Sequence, residues 1–282
     1  MFTINCRGKL HVYEKPVVMG ILNITPDSFY EGHISLSMDE LISKAANMLA
    51  QGAGIIDIGG QSTRPGSARL SAPEEWARVQ PVLKNIRSCF PDAVISIDTY
   101  HSQVAREAVA MGADIINDIS AGTLDQEMIP TVGTLNVPYI CMHMKGSPEH
   151  MQDLAMYEDI TREVLDYFIR KIDQCQSAGI KDIIIDPGFG FAKNIEQNFR
   201  LLHELHALRI LGKPILAGLS RKSSIYKTLG ITPAEALNGT TVMHTIALQQ
   251  GAQLLRVHDV KEAMEVVNLL EAYKKAAPDG AA

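Results

Sequence analysis

A polar residue capable of chemistry lies at the end of, or just beyond, each of eight short apolar runs in the sequence. In chain order these residues are Asn23, Asp57, Asp98, Asn117, His143, Asp186, Lys222, and Arg256 with His258. An isolated Asp in such a place usually caps a helix N-terminus, and this is the preferred interpretation of Asp118 and Asp259. Folding alone does not require a polar residue at all eight ends, because every buried polar group needs a hydrogen-bond partner. The set therefore indicates one binding site assembled from many strands.

One part of this set suits a heterocyclic ligand. Asp98, Asn117 and Asp186 carry short, rigidly placed acceptors and mixed donors. A carboxylate can accept two parallel N–H bonds, so these residues fit a ring with several N–H donors and a carbonyl, such as a 2-amino-4-oxo pyrimidine. A nearby aromatic residue, Phe191, lies among glycines and can provide a stacking wall or simply cover a loop.

Another part suits a phosphate or pyrophosphate. Arg256 offers paired charged donors and His258 a further donor, while the Asn23 amide oxygen is a ligand that Mg²⁺ accepts. Structural interpretations stay open beside these: Arg256 can pair with a structural carboxylate, and His258 can be a satisfied interior histidine. Asp57 can belong to a network inside the protein, and His143, between two methionines, fits packing as well as chemistry.

The apolar runs alternate with segments of helical periodicity. Runs that are apolar on both faces, which are typical of buried parallel strands, lie at 17–22, 55–58, 94–97, 115–116, 139–142, 183–185, 215–216 and 254–257. Helical patterns cover 38–51, 73–88, 101–111, 126–133, 159–178, 194–208, 233–250 and 261–274. Eight such units predict an α/β protein with a closed (β/α)8 barrel, the TIM-barrel fold. An open doubly wound sheet is the alternative, but no G-x-G-x-x-G motif follows the first run.

The chain divides into three parts. Residues 1–16 do not fit the repeat and predict a hairpin that turns at Arg7-Gly8 and plugs the bottom of the barrel. Residues 17–275 form the barrel, and residues 276–282, which are small and contain Pro and Gly, are expected to be a disordered tail.

Composition limits the possible partners and the compartment. The 282 residues carry a net charge of −6, which argues against a nucleic-acid-binding surface. No run approaches the roughly 20 apolar residues of a membrane span, and the start lacks the apolar core of a signal peptide. The four cysteines form no CxxC pair, so neither a zinc site nor a disulfide framework is indicated. A cytoplasmic protein that binds small molecules is expected.

At the run ends the sequence closely resembles the dihydropteroate synthase family. The matching stretches are GILNITPDSF (20–29), DIGGQSTRPG (57–66), ISIDT (95–99), IINDI (115–119), CMHMKGSP (141–148), IDPGFGFAKN (185–194), GLSRKSS (218–224) and RVHDV (256–260). They span nearly the whole chain in the family's order and spacing. The resemblance implies a TIM barrel that joins 6-hydroxymethyl-7,8-dihydropterin pyrophosphate to 4-aminobenzoate. It also implies Mg²⁺, a homodimer formed through late helices, and a target of sulfonamide drugs.

Residue roles follow from the same resemblance. It implies a pterin pocket of Asp98, Asn117, Met142, Asp186, Gly218 and Lys222. It implies a pyrophosphate and Mg²⁺ site of Asn23, Arg256 and His258, joined by Thr63 and Arg64 from a loop. It implies an aminobenzoate site of Phe191, Lys222 and Ser223, with loops at 25–32 and 62–69 closing over it. Lys222, Arg256, His258 and Asp98 are expected to act in the reaction, with Asn23 on the metal ion. On this division, removing Arg256 should weaken pyrophosphate binding and spare pterin binding.

Two departures and two alternatives qualify this interpretation. Loop one reads SFYEGH (28–33) where members commonly have SFSDGG, and Gln61 stands where Glu is common. A pterin barrel that passes a methyl group from methyl-folate to a corrinoid protein is one alternative, although it has no use for the anion set. An inactive paralogue with a binding role is the other, although it has little reason to keep the polar residues.

Overall fold

The eight apolar runs form one closed parallel barrel. A computed structural model describes residues 1–24, 36–61, 69–147, 150–151 and 153–276. After an antiparallel hairpin of β1 (Phe2–Cys6) and β2 (Lys9–Tyr13), the barrel strands are β3 (Val17–Asn23), β4 (Ile55–Gly59), β5 (Ile95–Asp98), β6 (Ile115–Asp118), β7 (Tyr139–Met142), β8 (Ile183–Asp186), β9 (Leu216–Ala217) and β10 (Leu254–Val257). Their order is β8-β7-β6-β5-β4-β3-β10-β9, and a bridge between Ile185 and Ile215 joins the two ends. The TIM-barrel prediction is confirmed.

Helices cover the outside of the barrel. They are α1 (Met38–Ala50), α2 (Ala72–Cys89), α3 (Ser102–Ala110), α4 (Met128–Leu135), α5 (Ile160–Ser177), α6 (Ile195–His203), α7 (Ser223–Leu229), α8 (Leu237–Gln249) and α9 (Val260–Lys275). A large core of buried aliphatic side chains lies between them and the strands. None of the helices within the described ranges is long and apolar enough to cross a membrane.

Glycine ends the helix at the recurring helix-to-strand corner. Gly52, Gly112 and Gly251 have φ values of 101°, 111° and 105°, a region that side chains disfavour. At each corner the next residue donates its N–H to a carbonyl five residues back, as Ala53 does to Met48 at 2.9 Å. This hydrogen bond satisfies one of the last helical carbonyls and directs the chain into the following strand.

The structure corrects three helix predictions. The segment predicted as helix 194–208 ends as α6 at His203 and continues as the 3₁₀ helix Leu205–Leu211. A 3₁₀ turn, Pro233–Ala236, likewise precedes α8. The short α7 was not predicted, because seven residues carry too little periodicity and helices of this length depend on tertiary packing. Its Ile225 is buried, facing the bare backbone of Gly239 on α8.

The N-terminal hairpin packs against the bottom of the barrel. Its turn has positive φ at both Arg7 (54°) and Gly8 (90°), the pattern of a tight hairpin turn. Ile4 and Cys6 are buried in one cluster with residues at the lower ends of all eight barrel strands, two of them from β3 and one directly before β5. Those are Val17, Met19, Ile55, Val94, Ile115, Ile140, Ile184, Leu216 and Leu254. Residues 277–282 of the expected tail lie outside the described residues.

Candidate active site

Six of the predicted site residues lie in the inner layer directly above this apolar cluster. Side chains alternate along a strand, so positions two residues apart share the inner face of a barrel. Two residues beyond Ile55, Ile115, Ile140, Ile184, Leu216 and Leu254 stand Asp57, Asn117, Met142, Asp186, Gly218 and Arg256. Asp98 lies four residues beyond Val94, with the buried Ser96 between them. The strand register therefore places these groups at the carboxyl end of one enclosed space, where barrel active sites lie.

An arginine bridging two carboxylates occupies the centre of this layer. Arg256 donates from Nε to Oδ2 of Asp57 at 2.7 Å and from Nη2 to Oδ2 of Asp98 at 2.5 Å. Asp57 also accepts from Nδ2 of Asn117 at 3.2 Å. Its other oxygen, Oδ1, is buried and has no hydrogen-bond partner within the described parts of the chain. Asp57 is thus the buried support of the site, as the network interpretation expected.

This network does not fit the predicted separation of pterin-binding from anion-binding residues. The sequence separated a heterocycle side with Asp98 from an anion side with Arg256, but the two side chains are directly paired. The two bonds use two of the five N–H donors of a guanidinium, so Arg256 can still bind a phosphoryl oxygen. We therefore expect its loss to weaken pterin binding as well, contrary to the sequence-based expectation.

Burial and the neighbouring charges together set the pKa of Asp98. Burial raises the pKa of Asp98 to about 7, the positive charge of Arg256 opposes this, and the negative charge of Asp57 adds to it. Burial lowers the pKa of Arg256, but the carboxylates of Asp57 and Asp98 raise it by more, so that the pKa lies above its usual value. The layer consequently holds a fixed cation beside a carboxyl group that titrates near neutrality.

The remaining residues predicted for the pterin pocket line the opposite part of the layer. Asp186 is buried and accepts the N–H of Gly188 on Oδ1 at 2.8 Å. A side chain at Gly218 would begin 3.9 Å from its Oδ2, so the bare backbone there keeps the space beside the carboxylate open. Met142 is buried in an apolar cluster at the rim, together with Tyr100 and Met144 and next to the half-buried Phe191.

Lys222 and Phe191 form the next wall. The Lys222 ammonium lies 4.5 Å from the centre of the Phe191 ring, a distance typical of a cation–π contact. Burial, and after it the charge of Arg256, lower the pKa of Lys222 to about 8, while Asp186 and Asp98 oppose that shift. Ser223, the other residue predicted at this wall, is half-buried as the first residue of α7.

Asn23 ends β3, and His258 directly follows the neighbouring strand β10. Ser220 Oγ accepts the backbone N–H of His258 at 3.2 Å and lies 3.0 Å from its Nδ1, to which its hydroxyl can donate. Although His258 is an exposed residue, loss of water around its ring and the charge of Arg256 lower the pKa of His258 to about 4. A neutral His258 that accepts at Nδ1 carries its proton at Nε2, where it can donate to an anion.

Some expectations fall outside or beside this geometry. Thr63, Arg64 and the loop-one segment 28–33 lie outside the described residues. Gln61 accepts the Leu70 N–H at 3.2 Å and so closes the base of the second loop. The cap interpretation of Asp118 is wrong, because its buried carboxylate accepts from Tyr139, Ser120 and Gly122. Asp259 precedes α9, but its carboxylate pairs with Arg221 at 2.8 and 2.9 Å instead of capping the helix.

Sequence reasoning missed Lys193. Its ammonium is buried behind Phe191 and bonds Nδ1 of His143 at 3.0 Å. Burial lowers the pKa of Lys193 to about 7, and Asp186 opposes that shift. A lysine within the apolar, glycine-rich stretch GFGFAKN was the one available signal. Burial, followed by the charges of Lys193 and Lys145, lowers the pKa of His143 to about 2.

The low pKa of His143 predicts acid sensitivity. The unfolded chain takes up this proton near pH 6.5, whereas the folded chain resists it until about pH 2. Through His143, the folded state therefore loses stability as pH falls below 6.5, by about 2.5 kcal/mol between pH 7 and 4.5. In His143→Asn, which keeps an acceptor near the Nδ1 position, this part of the loss should vanish. Urea unfolding at the two pH values measures it, and equal losses in both proteins would contradict the prediction.

Comparison with known proteins agrees with this geometry. A family model described as pterin binding enzyme matches residues 19–258. Dihydropteroate synthase of Escherichia coli K12 is 43% identical over 259 residues, which cover 91% of both chains. That of Synechocystis is 42% identical over 262 residues, covering 92% of this chain and 90% of the relative.

Solved structures give the same result. Yersinia pestis dihydropteroate synthase in a sulfonamide drug complex superposes with a TM-score of 0.92 at 39% identity, covering 98% of this chain and 100% of that one. The Xanthomonas albilineans enzyme with 4-aminobenzoic acid gives a TM-score of 0.90 at 38% identity, covering 98% and 99%. The chain belongs to the family of pterin-binding enzymes and, within it, to the dihydropteroate synthases.

Proposed function

We propose that the layer around Arg256 performs the family reaction, in which 6-hydroxymethyl-7,8-dihydropterin pyrophosphate and 4-aminobenzoate give 7,8-dihydropteroate and pyrophosphate. The observation that supports this most is the bridge from Arg256 to Asp98. It sets a cation for the leaving pyrophosphate directly beside a carboxylate for the pterin ring. Lys222 stands over Phe191 on the other wall, where an aromatic amine can stack.

The proposed chemistry needs no covalent intermediate with the protein. When the C–O bond at the pterin methylene breaks, its electron pair leaves with pyrophosphate, and Arg256 and the His258 Nε2–H stabilise that charge. The positive charge left on the pterin is delocalised into its ring and is stabilised by Asp98 and Asp186. The nitrogen of aminobenzoate attacks the methylene carbon and then loses one proton, which the released pyrophosphate or water takes up. Protein charge placed beforehand at both ends of the breaking bond lowers the barrier without reorganisation of water.

Mg²⁺ fits the same end of the layer. A side chain at Gly59 would begin 3.3 Å from Asn23 Oδ1 and 3.7 Å from Asp98 Oδ2, so glycine keeps a gap between these oxygens. No group of three His, Cys, Asp or Glu side chains suited to a metal ion occurs in the described ranges. We therefore propose that Asn23 holds the ion together with water and pyrophosphate oxygens, an arrangement that Mg²⁺ commonly adopts. The ion would supply further positive charge for the leaving group.

Asn23→Ala is expected to weaken the effect of Mg²⁺ on pyrophosphate binding. Calorimetric titration of pyrophosphate with and without Mg²⁺ should show a smaller gain in affinity for the variant than for the wild type. Pyrophosphate affinity without the ion serves as the control and should change little. An unchanged gain in Asn23→Ala would remove Asn23 from the proposed metal site.

Turnover distinguishes this function from the alternatives. Wild-type protein mixed with pterin pyrophosphate, aminobenzoate and Mg²⁺ should release pyrophosphate and dihydropteroate in equal amounts, as measured by coupled phosphate release and chromatography. Methyl transfer from methyl-folate to a corrinoid protein, with no dihydropteroate, would favour the methyltransferase. Ligand binding without either product would favour an inactive paralogue.

We also propose a homodimer in the cytoplasm. Large apolar side chains are exposed on the late helices, with Val242 of α8 at 52% and Leu269 and Tyr273 of α9 at 72% and 73%. Such a surface suits a contact between two copies of the chain, which light scattering can measure.

The cysteines support the cytoplasm as the compartment. All four are free thiols, three of them buried, as suits a reducing compartment.

A further inference from the structure

A buried lysine joins the ends of two barrel strands behind the aromatic wall. Lys193 is 3% exposed, and its Nζ lies 3.0 Å from each of three acceptors. These are Nδ1 of His143, which follows β7, and the carbonyl oxygens of Gly188 and Phe191, which follow β8. An ammonium carries three N–H donors, so each donor has one acceptor. His143 can accept only in its neutral form, with the proton on Nε2.

The segment that carries Phe191 has a backbone that needs such support. Between β8 and α6, Gly188, Gly190 and Ala192 have φ values of 71°, 82° and 48°, and Ala192 is not a glycine. A non-glycine residue in this region persists only where surrounding contacts determine it. Asn198 accepts the Gly190 N–H at 2.7 Å, and Tyr157 donates to the Ala192 carbonyl at 2.9 Å. Lys193 bonds Phe191's own carbonyl and crosses to the end of β7, which none of these other contacts does.

We propose that Lys193 is a positioning residue of the synthase reaction, whose ammonium fixes the Phe191 ring where it meets Lys222 and the aminobenzoate. Lys193 contacts no proposed substrate position itself; it acts through the Phe191 backbone. This inference rests on the proposed aminobenzoate site. Without the Lys193 ammonium, the carbonyl oxygens of Gly188 and Phe191 would repel each other inside a buried turn. If they moved apart, the Phe191 ring would shift relative to the Lys222 ammonium.

Lys193→Met tests the role directly, since it keeps the length of the side chain and removes the donors. We expect the KM for aminobenzoate to rise about tenfold or more, while the dissociation constant of pterin pyrophosphate changes less than threefold. Lys171→Met, which removes a lysine whose ammonium lies near the Tyr167 ring, is the control for the loss of one positive charge and should keep both values.

A second pair of variants covers the case in which Lys193→Met does not fold. His143→Leu removes the acceptor and should raise the KM for aminobenzoate, whereas His143→Asn keeps an acceptor and should restore it. A rise in both variants, or equal losses for aminobenzoate and pterin, would overturn the positioning role and leave a general structural one. Wild-type protein that makes no dihydropteroate would overturn the proposed function instead, and an active wild type with an unchanged KM in Lys193→Met would overturn this inference alone.

Discussion

Replacing Arg256 by methionine is expected to destabilise the protein and to abolish both pterin and pyrophosphate binding. The substitution leaves Asp57, which is fully buried, and Asp98 without their shared cation. Removing one partner of a buried ion pair typically costs about 3–5 kcal/mol, because the remaining charge is neither solvated nor paired. The carboxylates then repel each other or take up a proton, so the acceptor geometry for the pterin is lost with the anion site.

The measurement combines urea unfolding with calorimetric titration of each ligand. Arg87→Met is the matched control, because Arg87 pairs with Asp114 at 2.5 Å and bonds three backbone carbonyls near the bottom of the barrel. It should also lower stability but leave ligand affinities intact. Asp57→Asn combined with Arg256→Met should regain part of the stability. If Arg256→Met kept full pterin affinity, this prediction would be wrong, and pterin binding and anion binding would be independent of each other.

The second large effect is expected at Asp98. Asp98→Ala removes the carboxylate that can accept from the pterin amino group, and a hydrogen bond to a charged group contributes about 1.5–3 kcal/mol. Pterin affinity should therefore fall at least tenfold and up to about a hundredfold. Asp98→Asn, which preserves volume, should recover little, because an amide presents N–H donors where the ligand also donates.

The pH dependence of pterin binding gives an independent check. The pKa of Asp98 is raised to about 7, so the carboxylate form, which accepts two N–H bonds, increases as pH rises through 7. Affinity of the wild type should increase from pH 6 to 8, and that of Asp98→Asn should stay nearly flat. A wild-type affinity that falls over this range would contradict the assigned role.

The sequence was a good guide to the barrel because its pattern is local. Strands buried on both faces are short and apolar, and glycine ends the helix at each recurring corner, so both can be recognised within a few residues. The segment Ser223–Leu229 could not, since its helix depends on Ile225 packing against α8. The break in α6 after His203 likewise leaves no periodicity that differs from a continuous helix.

For the site, the sequence supplied the residue types but not their pairing. Most of the polar groups at the strand ends share one inner layer, whereas His143 lies behind Phe191 and bonds Lys193. The bond between Arg256 and Asp57 spans 199 positions, and only the strand register decides that it forms. Lys193 was missed for a related reason. Two of its acceptors are backbone carbonyls and the third is 50 positions away, so no side-chain spacing records them.

The two inner layers of the barrel also restrict how such a protein can change in evolution. Inserting one residue into a strand would turn its functional group outward into the helices. Inserting two would keep it inside but move it about 6–7 Å along the strand, away from its partners on the other strands. Strand length is therefore nearly fixed, because the hairpin residues Ile4 and Cys6 already pack into the apolar cluster at the bottom of the barrel. New substrate preferences must then arise from substitutions in the inner layer that contains Arg256, or from changes in the loops beyond that layer.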